Sequence, residues 1–303
     1  MARVLITGAD GFTGRYLAPL LASAGYEVHG MVQRGDERGV EGVVALHAAD
    51  LVDPLAVQDV VRHVAPDRIV HLAAIAHIAD GDPRSMYLVN LLGTRNLLES
   101  LVGMGRRPEA VVLASSANVY GNAREGALDE TTQPEPANDY AVSKLAMEAI
   151  ARLYAGRLPL IVCRPFNYTG RGQSEAFLLP KIVSHSRSRA EWIELGNLAV
   201  ARDFSDVRDV TKAYARLLET PAAIGRTINL CSGTAHSLED VLAMVEALSG
   251  HSLPVRVNPA LVRQNEVRIL KGDRTLLASL LPSLPPPRPL LETLRWMLEE
   301  GQP

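Results

Sequence analysis

The chain is poor in the residues that staple, span or carry strong charge. It has two cysteines in 303 residues, Cys163 and Cys231, each inside an apolar run. A disulfide framework needs more, so both are expected to be buried free thiols. Aromatic residues make up only 5% of the chain. The formal net charge of −3 gives no general attraction to nucleic acid or to an acidic lipid surface, and partners of those kinds are not expected. No apolar run approaches the ~20 residues a membrane-spanning helix requires, and the N-terminus enters a strand directly, without the pattern of a signal peptide. A cytoplasmic protein is the expectation. No cluster has metal-ligand spacing.

What the chain does have is alternation. Apolar runs at 2–7, 27–33, 43–47, 68–74, 110–116 and 159–165 read as buried strands, with helical periodicity near 13–24, 55–64, 83–104 and 138–156. Repeated strand–helix alternation predicts an α/β fold, a doubly wound parallel sheet of Rossmann type, over residues 1–165. Residues 166–303 alternate less cleanly. They predict a smaller α/β lobe with helices near 175–188, 207–219, 237–249 and 290–299, short strands near 192–195 and 200–204, and no obvious core of its own. Part of this segment is expected to return to the first domain.

Gly8, Gly11 and Gly14 lie between the first strand and the first helix. In that context glycines allow a tight turn and close backbone approach to a pyrophosphate, which the free N–H groups of the helix start can bind. Dinucleotide binding is the reading, with Phe12 and Thr13 in the same turn. The second strand ends in Gln33-Arg34, and an arginine there suits a ribose 2′-phosphate, whereas an acid would suit the 2′-hydroxyl. NADP(H) is therefore favoured and NAD(H) possible, Asp36 and Glu37 being close by. Asp50 and Leu51 follow the third strand, where a carboxylate can meet the adenine amino group. Leu72, Ala73 and Ala74 end the fourth strand with small residues that let backbone approach a cofactor.

Tyr140 and Lys144, in Asp-Tyr-Ala-Val-Ser-Lys, are four apart on a predicted helix and share one face. With the glycine turn and Ser115-Ser116-Ala117-Asn118-Val119-Tyr120-Gly121 between them, the chain resembles an extended short-chain dehydrogenase/reductase acting on a nucleotide sugar. The resemblance implies Ser116, Tyr140 and Lys144 as catalytic residues. Hydride delivered to a ketone leaves negative charge on oxygen, so a proton donor must stand within hydrogen-bond reach. A tyrosine ordinarily titrates near ~10, and a lysine cation together with the nicotinamide's own charge is expected to lower that value. Lys144 is also expected to hold the nicotinamide ribose, and Ser116 the substrate oxygen. Related 4,6-dehydratases carry a glutamate or an acidic pair just after that hydroxyl to remove the C5 proton. Ala117-Asn118 stands here, and an amide is no base, so dehydration is not expected.

The segment Arg164–Gln173 is similar to that of GDP-mannose-processing members. It implies that Phe166 borders the nicotinamide and that Asn118, Asn167 and Gln173 meet the sugar nucleotide. The run Arg202–Asp209, and Asn258-Pro259-x-x-x-Arg263-x-x-Glu266, resemble GDP-4-keto-6-deoxymannose reductases. Arg202 and Arg263 would then contact a diphosphate, Glu266 a ribose, and Lys181 is a weaker candidate. The implied activity is NAD(P)H-dependent reduction of the C4 ketone of a GDP-4-keto-6-deoxyhexose. The product is a GDP-rhamnose or GDP-6-deoxytalose type sugar. An NAD-retaining nucleotide-sugar 4-epimerase is the alternative. Relatives carry a Gly-Trp-x-Pro element near the C-terminus where this chain has Leu281-Pro282-Ser283-Leu284-Pro285, and Trp296 is expected to pack in the closing helix. Apolar faces on the helices near 83–104 and 138–156 suggest a homodimer.

Overall fold

Strands that are each followed by a helix cannot hairpin back onto one another, so they pair side by side and parallel. The computed structural model describes residues 1–33, 39–76, 83–121, 126–198, 200–259 and 269–299. The first half runs β1 (Arg3–Thr7), α1 (Phe12–Ser23), β2 (Glu27–Val32), β3 (Ala45–Ala48), α2 (Pro54–Val64), β4 (Arg68–His71), α3 (Pro83–Tyr87), α4 (Thr94–Val102), β5 (Ala110–Ala114), β6 (Gly126–Leu128), α5 (Asp139–Arg152) and β7 (Leu160–Pro165). The second runs β8 (Asn167–Thr169), α6 (Leu178–Arg187), β9 (Ile193–Leu195), β10 (Ala201–Asp206), α7 (Val207–Leu217), β11 (Thr227–Leu230), β12 (Ala235–Ser237), α8 (Leu238–Ser249), β13 (Val255–Val257), β14 (Ile269–Gly272), α9 (Thr275–Leu280) and α10 (Leu290–Leu298).

The main sheet has seven strands in the order β11-β7-β5-β4-β1-β2-β3, every pair parallel. Strand order reverses between β1 and β4, which opens a crevice at the carboxyl ends of those strands. One face is covered by α1 and α7, whose Leu17, Leu21, Tyr214 and Leu217 are buried against Val4, Ile6 and Ile161. The other is covered by α2, α4 and α5, through Val57, Leu97, Leu101 and Met147. The chain beyond residue 165 thus supplies an edge strand and a covering helix to the first layer.

The remainder forms a lobe with its own apolar core, contrary to expectation: Leu179, Ile182, Ile193, Val241, Leu294 and Met297 pack together. Its sheet carries β12, β10, β14 and β6, with β8 on the side of β10. Most of these strands are three or four residues long, too short to show a period in sequence.

The predicted helix over 83–104 is not continuous. It breaks into α3, a π-helical turn at Leu88–Gly93, and α4. The turn places Asn90 inside, where its amide donates to the Ile75 carbonyl and to Ser143 Oγ, at 3.0 Å each, and its oxygen accepts from Ile75 N at 2.8 Å. A π turn of this kind is a frequent companion of functional sites.

Helix starts differ in a way that matters below. Asp53 caps α2 and Asn138 caps α5 with side-chain oxygens, while Ser237 and Asp240 form a capping box on α8. Helix α1 begins at Gly11 with no side-chain cap and no acidic residue in its first turn.

Candidate active site

At the carboxyl end of β1 the chain turns through Gly8, which has φ +69° and donates to Met31 O at 2.8 Å. A Cβ on Gly8 would lie 2.9 Å from the backbone of Ala73, and one on Gly14 would lie 2.4 Å from Ala9 O. The turn is therefore closed to any side chain at both positions, and the first N–H groups of α1 face the crevice without an internal acceptor. The residues fit a dinucleotide pyrophosphate: a bare backbone cradle and a positive helix end whose first turn carries no acidic residue. Leu72 N and Ala73 N bind Thr7 O and Thr7 Oγ1, which draws the end of β4 and the following Ala74 alongside the turn. Asp50 is exposed, with Oδ1 accepting from Val52 N, and Leu51 is buried beneath Gly93. Phe12 stacks on Tyr168 at 6.0 Å, and Thr13 Oγ1 lies 2.8 Å from Tyr168 OH, which ties the turn to β8. Arg34 lies outside the described residues.

Helix α5 brings Tyr140 and Lys144 to the carboxyl end of β5. Tyr140 stands beside Ser116, whose hydroxyl favours its ionised form. Lys144 is buried, donates to Ala114 O at 2.7 Å, and sits 6.0 Å from the centre of the Tyr140 ring. The neighbouring Ser115 hydroxyl is already committed, donating to Glu148 at 2.5 Å.

The electrostatics depart from expectation in one respect. Burial, with a further contribution from Tyr168, pushes the Tyr140 hydroxyl up to about 12, opposed only by the Ser116 hydrogen bond. The lysine cation was expected to lower it; burial dominates instead, and Lys144 is not among the groups that act on the hydroxyl. Burial also brings Lys144 down to about 8, Glu148 opposing. Next to it His71 is pushed down to about 3 by burial and by Lys144, and bridges Thr7 and Thr94 as a neutral ring.

The remaining predicted residues fall into two groups. Asn118 is exposed at the mouth beyond Ser116, its backbone N–H donating to Ser116 Oγ. Asn167 is exposed and makes one long contact, 3.4 Å, to Asp203 O. Phe166 is buried against Gly272. Arg202 lies on β10, with Nη1 donating to Ala201 O. Two others have their polar ends engaged inside the lobe. The Gln173 amide donates to Tyr168 O and accepts from Thr169 Oγ1, and the Lys181 ammonium donates to Glu194 O. Arg263 and Glu266 lie outside the described residues.

Several residues with structural claims on the site had no role assigned from sequence: Asn90, Glu148, Arg164 and Tyr168. The signal for Glu148 was present, since it stands four residues past Lys144 on the same face. Tyr120 is buried and donates to Asn229 Oδ1 at 2.7 Å. Trp296 packs more specifically than expected, with the Arg208 guanidinium 3.8 Å and that of Arg171 5.1 Å from its ring centre.

A family model described as GDP-mannose 4,6 dehydratase matches residues 5–281. A GDP-6-deoxy-D-talose 4-dehydrogenase from Aggregatibacter actinomycetemcomitans is 35% identical, the alignment covering 92% of this chain and 91% of that protein. A GDP-6-deoxy-D-mannose reductase from Pseudomonas aeruginosa is 32% identical over 91% and 89%. Among solved structures, RMD from Pseudomonas aeruginosa complexed with NADPH superposes with a TM-score of 0.84 at 30% identity, covering 98% of both chains. A Burkholderia cenocepacia J2315 protein, provisionally described as an epimerase, gives 0.92 at 52% identity over 98% and 97%. By the crevice at the strand-order reversal, the glycine turn, the Ser116–Tyr140–Lys144 cluster and these matches, the chain belongs to the GDP-mannose 4,6-dehydratase family of extended short-chain dehydrogenases/reductases.

Proposed function

We propose that the protein reduces the C4 ketone of a GDP-4-keto-6-deoxyhexose with NADPH, giving a GDP-6-deoxyhexose of the rhamnose or 6-deoxytalose type. The observation that carries this is the pairing of a complete Ser116–Tyr140–Lys144 cluster with an amide, Asn118, beyond the serine. The cluster protonates a carbonyl oxygen, while the amide cannot take the C5 proton that dehydration requires. The talose dehydrogenase and mannose reductase relatives support the same reading over the family model's own description.

The glycine turn, the start of α1, Leu72–Ala74, Phe166 and Lys144 would hold the cofactor, with Asp50 and Leu51 toward its adenine and Arg34 toward the 2′-phosphate. Held there, NADPH would supply the hydride for C4. Ser116 Oγ hydrogen-bonds the C4 oxygen, and Tyr140 donates its proton as negative charge develops there. A tyrosine held protonated, at about 12, suits a donor in the reductive direction. Lys144 keeps a positive charge beside the phenolate that results. Asn118 and Asn167 border the sugar. Arg202 and Arg263 serve the diphosphate and Glu266 the ribose. Gln173 and Lys181 shape that side of the lobe, given their internal partners.

A homodimer is part of the reading. Leu88 and Leu92 before α4, and Val142 on α5, are exposed apolar residues on two neighbouring helices. We place the enzyme in the cytoplasm. Cys163 and Cys231 are buried free thiols, and among the described residues no helix is long and apolar enough to cross a membrane.

Purified protein mixed with GDP-4-keto-6-deoxymannose and NADPH tests the activity. One NADPH oxidised per sugar consumed is expected, and NMR of C4 names the product. The likeness to the Burkholderia protein favours one competitor, an NAD-retaining 4-epimerase. It would leave NADPH intact and release NAD from the boiled protein.

A further inference from the structure

Tyr140, Lys144 and Glu148 form one stripe along α5, and each meets one of three consecutive residues at the end of β5. Tyr140 stands beside Ser116, Lys144 donates to Ala114 O at 2.7 Å, and Glu148 accepts from Ser115 Oγ at 2.5 Å. The third rung is anchored from the neighbouring strand. Arg164 of β7 grips Glu148 with two bonds, Nε at 2.9 Å and Nη2 at 2.7 Å, and lies over the Tyr120 ring at 4.8 Å. Glu148 is 2% and Arg164 5% exposed. Burying such a pair is costly, and an apolar pair of similar size would hold a helix at least as well. Its presence one turn below the Lys144 ammonium calls for a role that an apolar pair could not fill.

We propose that Glu148 is a positioning residue of the reaction: through Ser115 and Arg164 it fixes the register of α5 on the end of β5, and its carboxylate charge keeps the buried Lys144 an ammonium. The groups around Lys144 agree with this. Tyr140 is neutral on the same helix, His71 of β4 is a neutral ring, β5 presents only the Ala114 carbonyl, and Arg164 of β7 is bound to Glu148 itself. Glu148 is the charge that favours the protonated lysine against burial.

The inference rests on Lys144 being the cation beside the cofactor, so the test reads NADPH affinity by fluorescence across pH 6–10, with circular dichroism to check folding. Wild type is expected to lose affinity as pH rises through the titration of Lys144. In E148Q, which keeps the shape and loses the charge, that limb moves about one unit to lower pH, as removal of a nearby opposite charge requires. E148D retains the charge and leaves the limb in place. If E148Q does not fold, the E148Q/R164M double variant removes the charge without leaving an orphaned arginine and is expected to show the same shift. A limb that stays put in a folded neutral variant overturns the proposal and makes Glu148 a packing residue only. Failure of wild type to bind NADPH would instead sink the cofactor reading itself.

Discussion

Lys144 loses its proton as pH rises through about 8, because burial disfavours the ammonium it would otherwise keep past 10. Tyr140, pushed the other way to about 12, keeps its proton over the same range. Reduction is therefore predicted to run at a constant kcat/KM from about pH 6 to 7.5 and to fall above 8, following the lysine. A pH–rate profile checks this, and a rise between 8 and 9 would point to tyrosine ionisation as the activating step. Replacing Tyr140 with Phe removes the proton donor while leaving the cofactor cradle untouched. Turnover is expected to drop by about 10²–10⁴-fold, with NADPH affinity within a few-fold of wild type in a fluorescence titration. His71 acts on stability. Its folded value, about 3, lies below the ordinary 6.5, so the unfolded chain binds the proton first as pH falls. Melting temperature is predicted to decline from pH 6.5 downwards, and more steeply than in H71N.

At the scale of elements, the segment β1–turn–α1 is the part most plainly written in the sequence, because its determinants are local: an apolar run, three glycines and an apolar helix face. A methyl group at Gly14 would press on the Ala9 carbonyl. G14A is predicted to weaken NADPH binding at least tenfold or to lower the melting temperature by several degrees, measured by fluorescence titration and calorimetry. Strands β2, β3, β4, β5 and β7 and the helix of Tyr140 were legible for the same reason. Other features were not. The π turn at Leu88–Gly93 depends on Asn90 reaching Ile75 and Ser143, contacts between segments far apart in the chain. Strands β6, β8, β12, β13 and β14 are held by neighbours that sequence does not name, and β11 gains its place only by pairing with β7. Arg164 shares that limit, since its bond from β7 to α5 leaves no local signature, whereas the place of Glu148 on the Lys144 face of the helix was readable.

Across the whole molecule, the closing helix fastens the lobe to the cofactor layer. Trp296 lies against Arg208, Arg171 and the edge of Tyr16, and Tyr16 OH donates to Arg171 O at 2.8 Å. This tryptophan of the closing helix supplies the attachment. W296A is expected to cost about 2–3 kcal/mol in denaturant unfolding. The proposed dimer belongs to the same scale. A charge at Leu92, as in L92E, is predicted to shift the mass measured by light scattering from two chains to one, without loss of the folded spectrum.

The central claim is that hydride passes to C4 of the sugar and remains there. NADPH carrying deuterium at the transferred C4 position of the nicotinamide, mixed with GDP-4-keto-6-deoxymannose, tests it most directly by NMR of the product. The account predicts one deuterium at C4 of a GDP-6-deoxyhexose for each NADPH consumed, with none at C5 or C6. A product that forms without deuterium at C4 while NADPH survives would contradict it.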